Sequence, residues 1–213
     1  MYTALESVGK IRARKYLNCL YCLYVIVGII IISLGVVYAS RVTPFTNNVI
    51  ILAFLLVGTQ TIMCPPVHKK SMKSNKVCTI SNLYVLLLCA NVFIIAYLYT
   101  DMYRITSSLR NDNTTQYERN LIERLPTKNW VSIQNKFSCC GWNLINNSLA
   151  TGQLCGSTKF TCRYSILANM HQTYYIIYMG MLGIFVFIFY SMMSWIAIQK
   201  YVFDPEPRDT QSC

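Results

Sequence analysis

Acidic residues are scarce in this chain, and charge of either sign is missing from its four longest apolar stretches. Only 8 Asp and Glu stand against 19 Lys and Arg in 213 residues. The runs 16–39, 49–67, 79–100 and 173–199 contain no Asp, Glu, Lys or Arg. Ion and proton pathways usually display ionisable side chains inside their spans, so this absence argues against a small channel or transporter. Histidine is almost missing too. His68 and His171 are read as lying outside metal-ligand spacing, and no carboxylate pair, glycine-rich phosphate loop or nucleophile elbow accompanies them. The expectation is therefore a protein that is not an enzyme and holds no metal or cofactor.

What is present is membrane composition: 54% hydrophobic and 13% charged residues. Each apolar run is near or above the roughly 20 residues that carry a helix across about 30 Å of hydrocarbon. The fold class expected is all-α, with four transmembrane helices. The first run is too long for the apolar core of a cleavable signal, about 7 to 15 residues, and is read as a signal anchor. Lys10, Arg12, Arg14 and Lys15 precede the first span, and Lys69, Lys70, Lys73 and Lys76 fill the link between the second and third. Basic short segments stay on the cytoplasmic side. The layout that follows is a cytoplasmic amino terminus (1–15), TM1 (16–39), a small outer loop (40–48), TM2 (49–67), a basic inner loop (68–78), TM3 (79–100), a large outer loop (101–172), TM4 (173–199) and a cytoplasmic tail (200–213). Pro205 and Pro207 make that tail a poor helix. The net charge of +11 is explained by topology and by attraction to anionic lipid. Nucleic acid is not expected as a partner, because the basic residues are split across the membrane and no groove-reading motif accompanies them.

The large outer loop carries adjacent cysteines, Cys139 and Cys140, followed by Gly141. Neighbouring cysteines pair with each other only through a strained ring, so each is expected to reach a distant partner. Cys155 and Cys162 are the candidates, which leaves two pairings open. Either one staples residues 141–161 into a small lobe, as an ectodomain of this size requires. Cys19, Cys22, Cys64 and Cys78 lie near the cytoplasmic ends of spans and are expected to be free thiols open to S-palmitoylation. Asn113-Thr114-Thr115 and Asn146-Asn147-Ser148 are glycosylation sequons.

Local patterns place helices in the loop. TM3 meets no breaker until Asn111-Asp112-Asn113 and is expected to continue above the bilayer. A second helix is expected from Thr127 as N-cap, with Trp130, Ile133 and Phe137 on one face. Ile166, Met170 and Tyr174 form a stripe leading into TM4, expected to pack against that face. Within the spans, Asn91 is expected to make an interhelical hydrogen bond, and Gly28, Gly35, Gly180 and Gly183 to allow close helix approach.

The segment Asn129-Trp130-Val131-Ser132-Ile133-Gln134-Asn135-Lys136-Phe137-Ser138-Cys139-Cys140-Gly141-Trp142, set between the third and fourth of four spans, resembles the tetraspanin family. That family's loop carries a Trp, then Ile-Gln, then Phe, then Cys-Cys-Gly. Here the matching residues are Trp130, Ile133, Gln134, Phe137, Cys139, Cys140 and Gly141. The chain resembles a divergent member with four loop cysteines: Asn18 lies about a turn nearer the cytoplasm than the family's polar residue, and TM2 ends in Met63-Cys64-Pro65-Pro66. The resemblance implies Cys139–Cys162 and Cys140–Cys155 disulfides and a variable recognition region over 141–161. It implies a scaffold that recruits membrane proteins sideways, self-associates, and sits in the plasma membrane or endosomes. Cholesterol in a cavity between the spans enters by analogy alone. A claudin-like junction protein, the remaining four-span alternative, would place its larger loop between TM1 and TM2.

Overall fold

The computed structural model describes residues 2–42, 48–73, 77–111, 113–123, 130–142 and 161–203. These residues form six helices: α1 (Tyr2–Val42), α2 (Asn48–Lys73), α3 (Val77–Arg110), α4 (Gln116–Glu123), α5 (Trp130–Phe137) and α6 (Cys162–Phe203). No strand occurs among them, and a single isolated parallel bridge joins Cys140 to Thr161. Four helices are long and apolar enough to cross a membrane, over Ile11–Ser40, Asn48–Ser71, Cys78–Arg110 and Cys162–Ile198. That makes the chain consistent with an integral multi-pass membrane protein.

The helices outrun the apolar stretches that define them. α1, at 41 residues, is about 60 Å long, roughly twice the hydrocarbon thickness. α3 ends at Arg110, immediately before the Asn111-Asp112-Asn113 breaker. α6 begins at Cys162, well before the apolar run that starts at 173. The segment between TM2 and TM3, expected as a loop over 68–78, is largely helical. α2 continues to Lys73 and α3 starts at Val77, because nothing in His68-Lys69-Lys70-Ser71 breaks a helix. α2 also passes through Pro65 and Pro66, each of which removes a backbone donor from the ladder. Thr127, and the tail beyond Phe203, lie outside the described residues.

The chain divides into two compact units, one of Met1–Val37, Asn48–Ile95 and Gly180–Cys213, the other of Tyr38–Asn47 and Ala96–Met179. In the first, α1 and α2 pack through glycines. A Cβ on Gly28 would come within 2.5 Å of Ile62 Cγ1 and 2.9 Å of the Gly58 carbonyl oxygen, and one on Gly58 within 2.6 Å of Ile32 Cγ1. A Cβ on Gly35 would meet Phe54 Cβ at 2.9 Å. Gly28 and Gly35 therefore serve a contact within the chain, where small residues let backbones approach. Gly180 faces Leu34 less tightly, at 3.2 Å, and Gly183 would meet nothing within 4 Å.

An aromatic string fills the same unit. Tyr24 lies edge-on 6.1 Å from Tyr84 and tilted 5.1 Å from Phe187, Tyr84 lies 6.1 Å from Trp195, and Trp195 lies 5.6 Å from His68. Tyr21 Oη is 2.6 Å from His68 Nδ1. Asn91 departs from expectation: its Nδ2 donates to Leu87 O at 3.0 Å in its own helix, and its Oδ1 has no hydrogen-bond partner among the described residues. A one-turn bond inside α3 is geometrically available to a buried amide without any neighbour.

Candidate functional site

The second unit holds a compact base built from the end of α5, the start of α4 and the start of α6. α5 ends because Ser138 turns left-handed, with φ of 48°. Cys139 N then donates to Gln134 O at 3.1 Å. This six-to-one bond is the signature of a Schellman cap, with Ser138 in the left-handed position. The cap delivers Cys139 into the interior, where it is fully buried. Gly141 is the second left-handed residue, with φ of 59°, a conformation that costs glycine nothing. It turns the chain so that Gly141 O accepts from Cys162 N at 2.9 Å and Trp142 O accepts from Arg163 N at 3.2 Å. Two of the orphan donors at the amino end of α6 are satisfied in this way. A Cys139–Cys162 disulfide, with Cα atoms 4.8 Å apart, closes the same junction.

The start of α4 supplies the other half. Thr115 and Glu118 form a reciprocal capping box: Glu118 N donates to Thr115 Oγ1 at 3.3 Å and Thr115 N donates to Glu118 Oε1 at 3.4 Å. The carboxylate does more than cap. Arg163 grips it with Nε on Oε2 at 2.8 Å and Nη2 on Oε1 at 2.9 Å, and Trp142 Nε1 donates to Oε2 at 3.1 Å. Glu118 is 0% exposed and the Arg163 side chain 15%. A buried carboxylate is tolerated when its lone pairs are filled by good geometry, and both oxygens here are. Arg163 Nη2 also reaches the carbonyl oxygens of Ser108 at 2.8 Å, Asn113 at 3.4 Å and Asn111. One arginine thus ties the end of α3, the turn after it and α4 to the residue beside Cys162.

Apolar packing completes the base. Trp130, Ile133, Trp142, Ile166, Leu167, Met170 and Tyr174 are all buried, and the Trp130 and Trp142 rings lie 6.2 Å apart. Both helical stripes expected from periodicity face inward, with Phe137 only half-buried. Tyr174 and Tyr38 bring their hydroxyls to 3.2 Å. Burial pushes the pKa of Tyr117 up, and the Asp101 carboxylate adds to the rise, so this phenol stays neutral.

The residues that resemble a family motif therefore gather in one place. Trp130, Ile133, Gln134, Cys139 and Gly141 are buried there, Phe137 and Cys140 less so. Cys140 is also disulfide-bonded, while Cys155 and Asn146 lie outside the described residues. Asn113 is exposed. Of the four expected acylation sites, Cys19 and Cys22 are exposed free thiols and Cys64 is a buried one. Cys78 is disulfide-bonded and offers no thiol here. Sequence reasoning passed over Cys89, an exposed free thiol, while Cys64 and His68, four residues apart on α2, are both buried. No group of three His, Cys, Asp or Glu side chains stands together among the described residues. It also missed α4, Glu118 and Arg163. The Thr-x-x-Glu pattern at Thr115 was the available signal for the first two, whereas nothing local marks Arg163.

Chemically the base is a frame. The chain leaves it at Trp142 and returns at Thr161, with Cys140 and Thr161 bridged. The described residues that flank 143–160 are thereby held beside each other. No family model, curated protein or solved structure matches this chain.

Proposed function

We propose that this chain is a tetraspanin-like membrane scaffold that gathers other membrane proteins beside it in the bilayer. The observation that carries the reading is the locked frame between the third and fourth apolar helices. The Cys139–Cys162 disulfide and the Glu118–Arg163 pair hold the described residues on either side of 143–160. A segment presented from fixed ends loses less entropy on binding than a free loop, which favours recognition. In this reading the lobe faces outward, the basic clusters and both termini face the cytoplasm, and the protein resides in the plasma membrane or endosomes. Cys19 and Cys22 carry acyl chains, and Asn113 and Asn146 are the glycan acceptors.

Lateral contacts have apolar faces to use. Phe93, Val186 and Tyr190 are 67, 63 and 62% exposed, which suits them to lipid, to a partner's helix or to a second copy of this chain. Replacing 143–160 by an unrelated loop that keeps one cysteine tests the proposal. The set of membrane proteins co-purifying in mild detergent should change, whereas an unaltered set would remove the recognition role from the lobe.

A further inference from the structure

The sequon at Asn113 shares a side chain with the latch of the base. Its asparagine is exposed, yet its third residue is Thr115, the N-cap of α4. The Thr115 hydroxyl accepts from Glu118 N at 3.3 Å and lies 2.8 Å from Ser108 Oγ and 3.3 Å from Glu118 Oε1. The sequon backbone is held as well. Asn113 N donates to Asn111 Oδ1 at 3.3 Å, and Asn113 O accepts from Arg163 Nη2 at 3.4 Å. A glycan acceptor is read through the hydroxyl at its third position, and in the folded lobe that hydroxyl is already engaged.

Chain order decides when this engagement begins. α4 has 8 residues, and a helix so short does not persist alone in water. Its cap closes firmly only when Glu118 acquires Trp142 and Arg163, which lie 24 and 45 residues downstream. Arg163 follows Asn113 by 50 residues, a delay of roughly 3–10 s at about 5–20 residues per second of synthesis.

We infer that Asn113 is a folding-gated N-glycosylation site, open on the growing chain and closed once Arg163 docks on Glu118 and commits Thr115 to α4. In the transfer, Asn113 Nδ2 bonds to the anomeric carbon of a lipid-linked oligosaccharide. The bond from that carbon to the lipid pyrophosphate breaks, the pyrophosphate leaves, and the amide gives up one proton. The inference rests on the outward orientation proposed above.

The test is to translate the full chain carrying Asn146→Gln into endoplasmic-reticulum membranes, so that gel mobility reports Asn113 alone. The transferase is left active throughout, or blocked reversibly until synthesis and folding are complete. Asn113 should be modified in the first arm and at least about tenfold less in the second, the factor that a charge-assisted latch supplies. Arg163→Gln, which opens the latch, should recover modification in the second arm. Ser108→Ala, which removes one partner of the Thr115 hydroxyl and leaves the ion pair intact, should recover part of it. Equal modification in both arms overturns the inference, and so does failure of both variants to differ from the parent. Asn113 left bare in every arm overturns it too. A sequon appended after Cys213 then separates the causes: glycan at the tail means that the lobe faces the cytosol and the orientation fails as well, and none means that the outer site is simply not used.

Discussion

The two units of this molecule handle buried polar groups in opposite ways. In the unit that contains α4 and α5, the buried Glu118 carboxylate fills both oxygens with donors from Thr115, Trp142 and Arg163. In the other unit, Gln60 Oε1, His68 Nε2, Asn91 Oδ1 and Trp195 Nε1 are buried with no hydrogen-bond partner among the described residues. All four belong to that unit, and among the described residues the lobe contributes none. The lobe is specified by directional bonds and covalent closure, which fix a unique surface. The helical unit is held by shape, through glycines that admit a neighbouring backbone and apolar side chains that fill the remaining space. A recognition frame needs the first kind of order, and a lateral scaffold in lipid can work with the second.

The contrast breaks most sharply at Arg163. Arg163→Met strands the buried Glu118 carboxylate, and removing one partner of such a pair costs about 3–5 kcal/mol. Tryptophan fluorescence, through Trp130 and Trp142 at 6.2 Å, should report early melting of the lobe, while helical circular dichroism changes little. An unchanged lobe transition would mean that the ion pair is ornamental. Next in size is the disulfide. Cys139→Ser opens a closure that spans 23 residues, worth roughly 3 kcal/mol in the chain-entropy account. Denaturation of the variant against the parent, both under non-reducing conditions, gives the figure.

Gly58→Val sharpens the other side. It drives a side chain into Ile32, 2.6 Å from the new Cβ, and overpacking of this kind costs about 1–3 kcal/mol. Its effect belongs to thermal unfolding of the helical unit, with the lobe's fluorescence transition preserved. Gly183→Ala meets nothing within 4 Å and serves as the matched control, expected to be silent. A smaller effect than that of Arg163 is expected from Trp142→Phe, which removes one of several donors to Glu118 and should lower lobe stability by about 1.5 kcal/mol. A larger loss would make the indole, rather than Arg163, the principal partner.

The same contrast governs what could be read in advance. The four apolar helices were legible because each is a long run free of charge, and the end of α3 at Arg110 was legible because Asn111-Asp112-Asn113 stops it. The buried face of α5 showed in the spacing of Trp130 and Ile133. α4 escaped because Gln116–Glu123 is polar and too short for apolar periodicity, although its capping pattern was in plain view. The early start of α6 was half legible: the Ile166–Met170–Tyr174 stripe pointed to it, but the unbroken apolar run begins only at 173. Gly58 and Arg163 are a different case. Gly58 matters only because Gly28 stands opposite it, and Arg163 only because Glu118 waits 45 residues earlier. Pairings of that range leave no local trace.

The proposed scaffold role depends most on the covalent junction between the Cys-Cys-Gly turn and the start of α6. Peptide mapping of the purified, unreduced protein by mass spectrometry, with free thiols alkylated beforehand, tests it directly. A cross-linked peptide pair joining Cys139 to Cys162 is the predicted result. Alkylated Cys139 and Cys162, or a bridge from either to another cysteine, would contradict the frame on which the proposed scaffold role is built.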